Sequence, residues 1–239
     1  MTDRAPDVSV VIPVFNEAAI VQAATEELTR ALDAEGIDYE VILAENGSRD
    51  STPQIVDELA HRLDRVRVLH VGEPNYGRAL KQGILAARGT FVVCDEIDLC
   101  DVDFSRRALP LLRSGKAEMV VGSKAARGAN DQRPMLRRAG TKVINGLLRL
   151  TLGFKGTDTH GLKAFRREPL LEVVQACVVE RDMFASEFVI RAGRMGHTVV
   201  EIPVVVAEKR RPTINLLRRV PNVFRNVARL VYVIRIRGS

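Results

Sequence analysis

The chain has 239 residues, 46% of them hydrophobic and 28% charged, the balance of an ordinary globular protein with enough apolar material for a sizeable core. Its three cysteines, Cys94, Cys100 and Cys177, form no metal-ligand spacing, and their odd number behind a polar start at residues 1–7 points to a reducing, cytoplasmic setting. No apolar run approaches the length of a membrane span. The net charge of +6 is uneven: nine basic residues and no acid follow Glu208, so the rest of the chain holds 27 basic against 30 acidic residues.

Residues 8–13 read as a continuous β-branched strand, followed after Asn16 and Glu17 by a helix with Ile20, Ala24, Leu28 and Leu32 on one face. Residues 39–44 form a second strand ending at Glu45-Asn-Gly-Ser. Ser51 then reads as an N-cap, with Pro53 in the first turn of a helix through Ile55, Leu59 and Leu63. After a third strand at 66–71, Asn75-Tyr-Gly opens a helix that carries Leu80 and Ile84 and stops at Gly89. Residues 91–94 are the fourth strand. Strand and helix alternate across short loops, which predicts βαβ units and a mainly parallel sheet. A fifth strand at 118–122 is followed by a polar loop at 124–134, a helix at 135–152, strands at 161–165 and 198–206, and helices near 169–176 and 184–195.

The fourth strand runs straight into Asp95, Glu96 and Asp98. In open α/β sheets ligands gather at this end of the strands. On an extended backbone Glu96 and Asp98, one residue apart, point to the same side. Two hard oxygen ligands there suit Mg²⁺ or Mn²⁺, which complete their shell with substrate phosphates. The alternative is a solvated acidic loop after a core strand.

Six segments in order resemble the family-2 glycosyltransferases of GT-A fold, above all the dolichyl- and polyprenyl-phosphate mannosyl- and glucosyltransferases. They are Val10-Val-Ile-Pro-Val-Phe-Asn-Glu17, Glu45-Asn-Gly-Ser-Arg-Asp-Ser-Thr52, Asn75-Tyr-Gly-Arg-Ala-Leu-Lys-Gln-Gly83, Glu96-Ile-Asp98, Asp158-Thr-His-Gly-Leu-Lys-Ala-Phe-Arg-Arg167, and Glu187 with Gly196 and Glu201-Ile-Pro203. The resemblance implies a GT-A (Rossmann-like) domain over 1–208, its mixed, mainly parallel sheet flanked by helices. Residues 1–123 would hold the nucleotide sugar and 124–208 the acceptor, with a basic amphipathic helical tail at 209–239. Glu45, Asn46 and Glu96 stand where the family has aspartates, and His160 where it commonly has a small polar residue.

The resemblance also implies an inverting, metal-dependent transfer from a GDP- or UDP-sugar, with a polyprenyl phosphate as the acceptor. Pro13, Phe15 and Glu17 would lie under the donor nucleotide, Phe15 offering the base an apolar face. Glu45 and Asn46 would meet base or ribose, and Asp95 the donor. Lys81 would reach a phosphate or the base, or be a solvated lysine. Asp98 would be the main metal ligand, with Glu96 beside it, and Arg210 would add charge at the phosphates or belong to a basic surface patch. Arg138, Thr141, Asn145 and Arg149, near helical spacing, line an acceptor groove or form the helix's wet face. His160 joins the acceptor side, Asp158 contacts substrate, and Glu187 is either a general base, an orienting group or a first-turn helix acid.

The tail from 213 to 237 sets Leu217, Val227, Leu230 and Ile234 on one helical stripe with arginines opposite, divided into two helices at Pro221. The stripe suits an anionic membrane surface, the protein's own domain, or a homodimer through these helices. On the membrane reading, a chain ending at Arg211 stays folded. Other classes remain: a transferase for a small hydroxylated or phosphorylated metabolite, and a non-catalytic nucleotide-sugar-binding relative or membrane-peripheral scaffold. No nucleic-acid partner is expected: the basic tail carries no interleaved aromatics beyond Phe224 and Tyr232, and no recognised nucleic-acid motif is present.

Overall fold

The structure is a computed structural model and describes residues 4–126, 128–131, 135–180, 183–206 and 216–235. Strands β1 (Val8–Val14) and β2 (Tyr39–Glu45) are buried along their whole length. This burial follows from strands with helices on both faces, which need unbroken apolar runs. With β3 (Val66–His70), β4 (Phe91–Cys94), β5 (Met119–Ser123), β7 (Lys163–Arg166) and β8 (Val199–Pro203) they form one sheet in the order β3-β2-β1-β4-β7-β5-β8. Every pairing in this sheet is parallel except those of β7, which runs antiparallel to both β4 and β5. The loop 124–134 contributes β6 (Asn130–Asp131), paired with β9 (Val205–Val206).

Two apolar cores lie on the two faces. One packs α1 (Val21–Ala34), α2 (Thr52–Arg62) and α4 (Val102–Arg113) around Leu28, Leu59 and Phe104. The other joins α3 (Tyr76–Ala86), α5 (Met135–Leu152), α6 (Arg167–Ala176) and α7 (Phe184–Arg194) around Phe165, Phe184 and Phe188. Ser51 occupies the N-cap of α2 but its side chain makes no capping bond; Asp50 does so instead, accepting the Thr52 N–H at 3.0 Å.

The reversal of β7 positions the site. Because it runs against its neighbours, its N-terminal end meets the C-terminal ends of β4 and β5, with Lys163 opposite both Cys94 and Val121. Residues 157–161 therefore arrive beside the acidic turn after β4. The approach is close: a Cβ on Gly161 would stand 1.8 Å from the Gly122 carbonyl oxygen.

The tail departs from expectation. It is one helix, α8 (Leu216–Arg235), running through Pro221 rather than two helices divided by it. A proline removes one backbone bond and kinks a helix, and packing on either side can carry the helix through it. Val227, Leu230, Val233 and Ile234 are buried in the same core as Leu148 and Leu152 of α5. For its described half, the stripe is thus used within the chain. A chain ending at Arg211 should therefore lose its sharp thermal transition, since each of these buried aliphatic side chains is worth about 1.5–3 kcal/mol. An unchanged melting curve would refute that packing.

Candidate active site

The turns after β1 and β2 are laced together. Asn16, at φ 53°, donates its N–H to Ser48 Oγ at 2.9 Å and accepts the Arg49 N–H at 2.8 Å on its Oδ1. The Glu17 N–H bonds Thr52 Oγ1 at 2.8 Å. Pro13 is buried beneath this lacing, Glu17 is half-buried, and Phe15 stays exposed. Glu45, buried at the end of β2, accepts the Ser48 N–H at 2.6 Å. Burial works against its charge, but bonds from Ser48, His70 and Gly47 hold its carboxyl below the ordinary value.

Asn46 is explained by its bond. Its Oδ1 accepts the Asn75 N–H at 2.7 Å, and Asn75 in turn caps α3 by accepting the Arg78 N–H at 3.2 Å. An amide supplies that acceptor oxygen as well as a carboxylate does, so the lost charge leaves this bond intact. Asn46→Ala should orphan a buried N–H and lower stability by about 1–3 kcal/mol, read as a shift in thermal midpoint.

Three expected site residues have other work. Lys81 donates to the Cys177 carbonyl at 2.6 Å and the Gln175 carbonyl at 3.3 Å, clasping α3 to the end of α6 rather than reaching a phosphate or base. Asp95 is buried, and its two oxygens accept the N–H groups of Glu96 (2.7 Å) and Asp101 (3.0 Å). It shapes the acidic turn rather than facing the donor, and burial pushes its carboxyl up to about 7. Glu187 is fully buried in the first turn of α7, taking the N–H groups of Val178 (3.0 Å) and Val179 (2.6 Å) and Arg191 Nε (2.8 Å). With both oxygens committed, it fastens the loop before α7 instead of facing an acceptor.

Glu96 and Asp98 lie in a turn beyond β4, not on extended backbone, with Ile97 buried between them. Among the described residues, neither carboxylate takes part in a hydrogen bond or ion pair. Burial raises the Glu96 carboxyl, as do the charges of Asp98 and Asp158, while Lys124 and Lys163 oppose the rise. Asp158, also buried, accepts the His160 N–H at 2.9 Å and the Lys124 N–H at 3.3 Å. Its carboxyl is buried, yet Lys124, these bonds and Lys163 keep it below the usual value. The Lys163 ammonium is buried, bonds the Gly161 carbonyl at 2.7 Å, and is lowered chiefly by that burial.

Tyr76, at the start of α3, faces the same turn with 43% of its surface exposed. Burial of its hydroxyl, then the charges of Glu96, Cys94, Asp95 and Asp98, push the phenol well above its ordinary value. Its only signal in the sequence is its place between Asn75 and Gly77.

Beside this acidic centre opens a cleft of about 540 Å³. Arg138, Thr141, Asn145 and Arg149 of α5 all line it, together with Lys142, Lys124 and Thr157. Asn145 Nδ2 donates to the Thr157 carbonyl at 2.5 Å, and Arg149 Nη2 to that of Gly156 at 2.9 Å. His160 stays exposed next to Asp158, its Nδ1 3.1 Å from Thr159 Oγ1, and does not line the cleft. Lys124 and Lys142 were not singled out in the sequence because neither belongs to a spaced motif. Arg210 lies outside the described residues.

The chain matches the model of glycosyl transferase family 2 over residues 9–174, and it belongs to that family. It is 34% identical over 220 residues to glycosyltransferase AglD of Haloferax volcanii, covering 89% of this chain and 35% of that protein. It is 32% identical to the undecaprenyl-phosphate 4-deoxy-4-formamido-L-arabinose transferase of Pseudomonas fluorescens, covering 84% and 58%. To the dolichyl-phosphate hexose transferase of H. volcanii it is 27% identical, covering 85% and 84%. The chain thus spans 35% and 58% of the length of the first two. Among solved structures, glucosyl-3-phosphoglycerate synthase of Mycobacterium tuberculosis, bound to Mn²⁺, UDP-glucose and phosphoglyceric acid, superposes with a TM-score of 0.67 at 20% identity, covering 95% of this chain and 80% of that one. A Pyrobaculum calidifontis mannosyltransferase with GDP-mannose and Mn²⁺ gives 0.63 at 22%, covering 96% and 65%. These likenesses show the GT-A fold. Among the described residues, no helix is long and apolar enough to cross a membrane.

Proposed function

We propose that the chain transfers a hexose from a nucleoside diphosphate sugar to a polyprenyl phosphate, with inversion at the anomeric carbon. The observation that carries this reading is the cleft bearing Lys124, Arg138, Lys142 and Arg149 immediately beside the acids Glu96, Asp98 and Asp158. Four cations around one opening suit a phosphate headgroup, which charge-assisted bonds hold strongly. The names of the undecaprenyl-phosphate and dolichyl-phosphate relatives support the same acceptor.

On this reading the nucleoside lies against the exposed ring of Phe15 and the turn after β2 that Glu45 ends, with Tyr76 facing the acidic turn. The residues present fit a divalent cation. Glu96 and Asp98 are hard oxygen donors without a bonded partner among the described residues, and the burial that raises Glu96 is what a nearby cation relieves. On this reading the ion's remaining ligands come from the substrate phosphates. Bound there, Mg²⁺ or Mn²⁺ supplies Lewis-acid stabilisation of the departing diphosphate. The M. tuberculosis and P. calidifontis structures, with Mn²⁺ and a nucleotide sugar, support the assignment.

In the transfer, an oxygen of the lipid phosphate forms a bond to C1 of the sugar while the bond from C1 to the β-phosphate oxygen breaks. The electron pair leaves with the nucleoside diphosphate. A phosphate is already an anion, so no proton has to be removed and no base is needed, in keeping with the buried, fully bonded Glu187. The exposed Met135, Val143 and Leu150 on α5, beside the cleft's cations, support work at the cytoplasmic face of an anionic membrane.

The test is a panel of GDP- and UDP-hexoses with Mn²⁺ against a polyprenyl phosphate, the corresponding polyprenol and phosphoglyceric acid. Transfer to the polyprenyl phosphate alone is expected. Transfer to phosphoglyceric acid instead would replace the acceptor, and no transfer at all would favour a non-catalytic relative. Within the panel, R138A/K142A should raise the acceptor KM about tenfold or more while leaving donor binding unchanged.

A further inference from the structure

We propose that Glu201 is a positioning residue for the transfer, its carboxylate fixing Thr157 and thereby holding Asp158 and the acceptor cleft in one register. The inference rests on the reading of Asp158 and the cleft given above. Glu201 lies on β8 and is not one of the cleft's lining residues. Its Oε1 accepts the N–H groups of Thr157 at 2.6 Å and Asp158 at 3.2 Å, and its Oε2 accepts the Thr157 hydroxyl at 2.5 Å.

Thr157 passes this constraint on in two directions. Its carbonyl takes the Asn145 amide of α5, and its hydroxyl lies 2.6 Å from Ser123 Oγ at the end of β5. Ser123 Oγ accepts the N–H groups of Ala125 (3.1 Å) and Ala126 (3.0 Å), where the chain turns into the cleft wall. A carboxylate only accepts, so the proton directions are fixed. The Thr157 hydroxyl donates to Glu201, and the Ser123 hydroxyl must donate to Thr157, which leaves the Ser123 lone pairs for the two backbone groups. One side chain on β8 therefore sets the polarity of a chain of bonds that ends in the cleft.

That polarity makes Glu201→Gln a sharp probe. If the new amide keeps its oxygen on the Thr157 and Asp158 N–H groups, its NH₂ faces the Thr157 hydroxyl. Thr157 must then turn its proton toward Ser123, whose lone pairs are already taken. If the amide is flipped, its NH₂ faces two backbone N–H groups. Either way a part-buried donor loses its acceptor.

The experiment compares Glu201→Gln, Thr157→Val and Thr157→Ser in the full chain, by thermal midpoint, by binding of UDP and GDP with Mn²⁺, and by steady-state kinetics. Kinetics use whichever acceptor the wild-type chain accepts in the panel above, or else its hydrolysis of the nucleotide sugar by water, so failure of the polyprenyl-phosphate reading is seen separately in the wild type. Small displacements of reacting groups cost up to about 100-fold. Expected are a fall of about 10- to 100-fold in kcat for Glu201→Gln and Thr157→Val, nucleotide affinity within about twofold, and recovery to within about threefold in Thr157→Ser, which keeps the hydroxyl. Wild-type kcat in Glu201→Gln and Thr157→Val, whatever their midpoints, would overturn the proposal. So would a loss that includes Thr157→Ser and follows the thermal midpoint across all three.

Discussion

Asp98→Ala is expected to abolish Mn²⁺-dependent binding of the donor nucleotide and to slow transfer by about 10³-fold or more, a loss of about 4 kcal/mol in transition-state stabilisation. Asp98 and Glu96 are the acids of the β4 turn whose oxygens bond nothing among the described residues, whereas those of Asp95 are used to build the turn. Removing Asp98 takes away a hard ligand without disturbing the turn's own bonds. Glu96→Ala should weaken binding less, since on the proposed reading Glu96 is the second ligand and Lys124 and Lys163 already offset its charge. Calorimetric titration of UDP and GDP with and without Mn²⁺ separates the two. Full donor binding and turnover by Asp98→Ala in EDTA would remove the metal from the mechanism.

Gly77→Ala should be the most damaging single methyl group in the domain. Its Cβ would stand 1.6 Å from the Glu180 carbonyl oxygen and 2.8 Å from Phe184 Cβ. Neither neighbour is free to yield. Glu180 holds Arg78 at 2.8 Å, Glu187 grips the preceding residues, and Lys81 clasps the end of α6. Forcing a methyl into such a contact costs about 3 kcal/mol, or about 6–12 °C in thermal midpoint for a domain of this size. Gly146→Ala is the control. It sits within α5 with nothing inside 4 Å of the added Cβ, so the midpoint should rise as a helical glycine is replaced. Equal midpoints for the two variants would contradict the packing of α3 against the loop before α7.

What could be read from sequence depended on whether a residue's role is local. The valine-rich strands, the α3 start at Asn75 and the helix α5 announce themselves through period and capping. The direction of β7 does not, because nothing in Lys-Ala-Phe-Arg distinguishes a parallel from an antiparallel partner. Glu187 has the pattern of an exposed first-turn acid, and only the loop folded over it makes it a buried clasp. Lys81 resembles a phosphate lysine until the end of α6 is brought alongside. Glu96 and Asp98 read in the sequence as extended backbone, but the strand ends at Cys94, two residues before Glu96, and the chain turns there. Glu201 carried a motif and no role, because its partners lie 43 and 44 residues away in the chain.

The reversed strand has a consequence for synthesis of the protein. β4 gains its partner on one side only when residues 163–166 arrive. At about 5–20 residues per second, a ribosome leaves that edge, with Val92 and Val93 at its centre, unpaired for about 4–15 seconds. An open apolar edge is a template for pairing with another chain. Residues 1–123 are therefore not a module that can be cut out, since their sheet closes on a strand supplied by residues 163–166. A nascent chain stalled before residue 163 should be found bound to a chaperone or aggregated, and the full chain, released with β7 and α8 in place, should not.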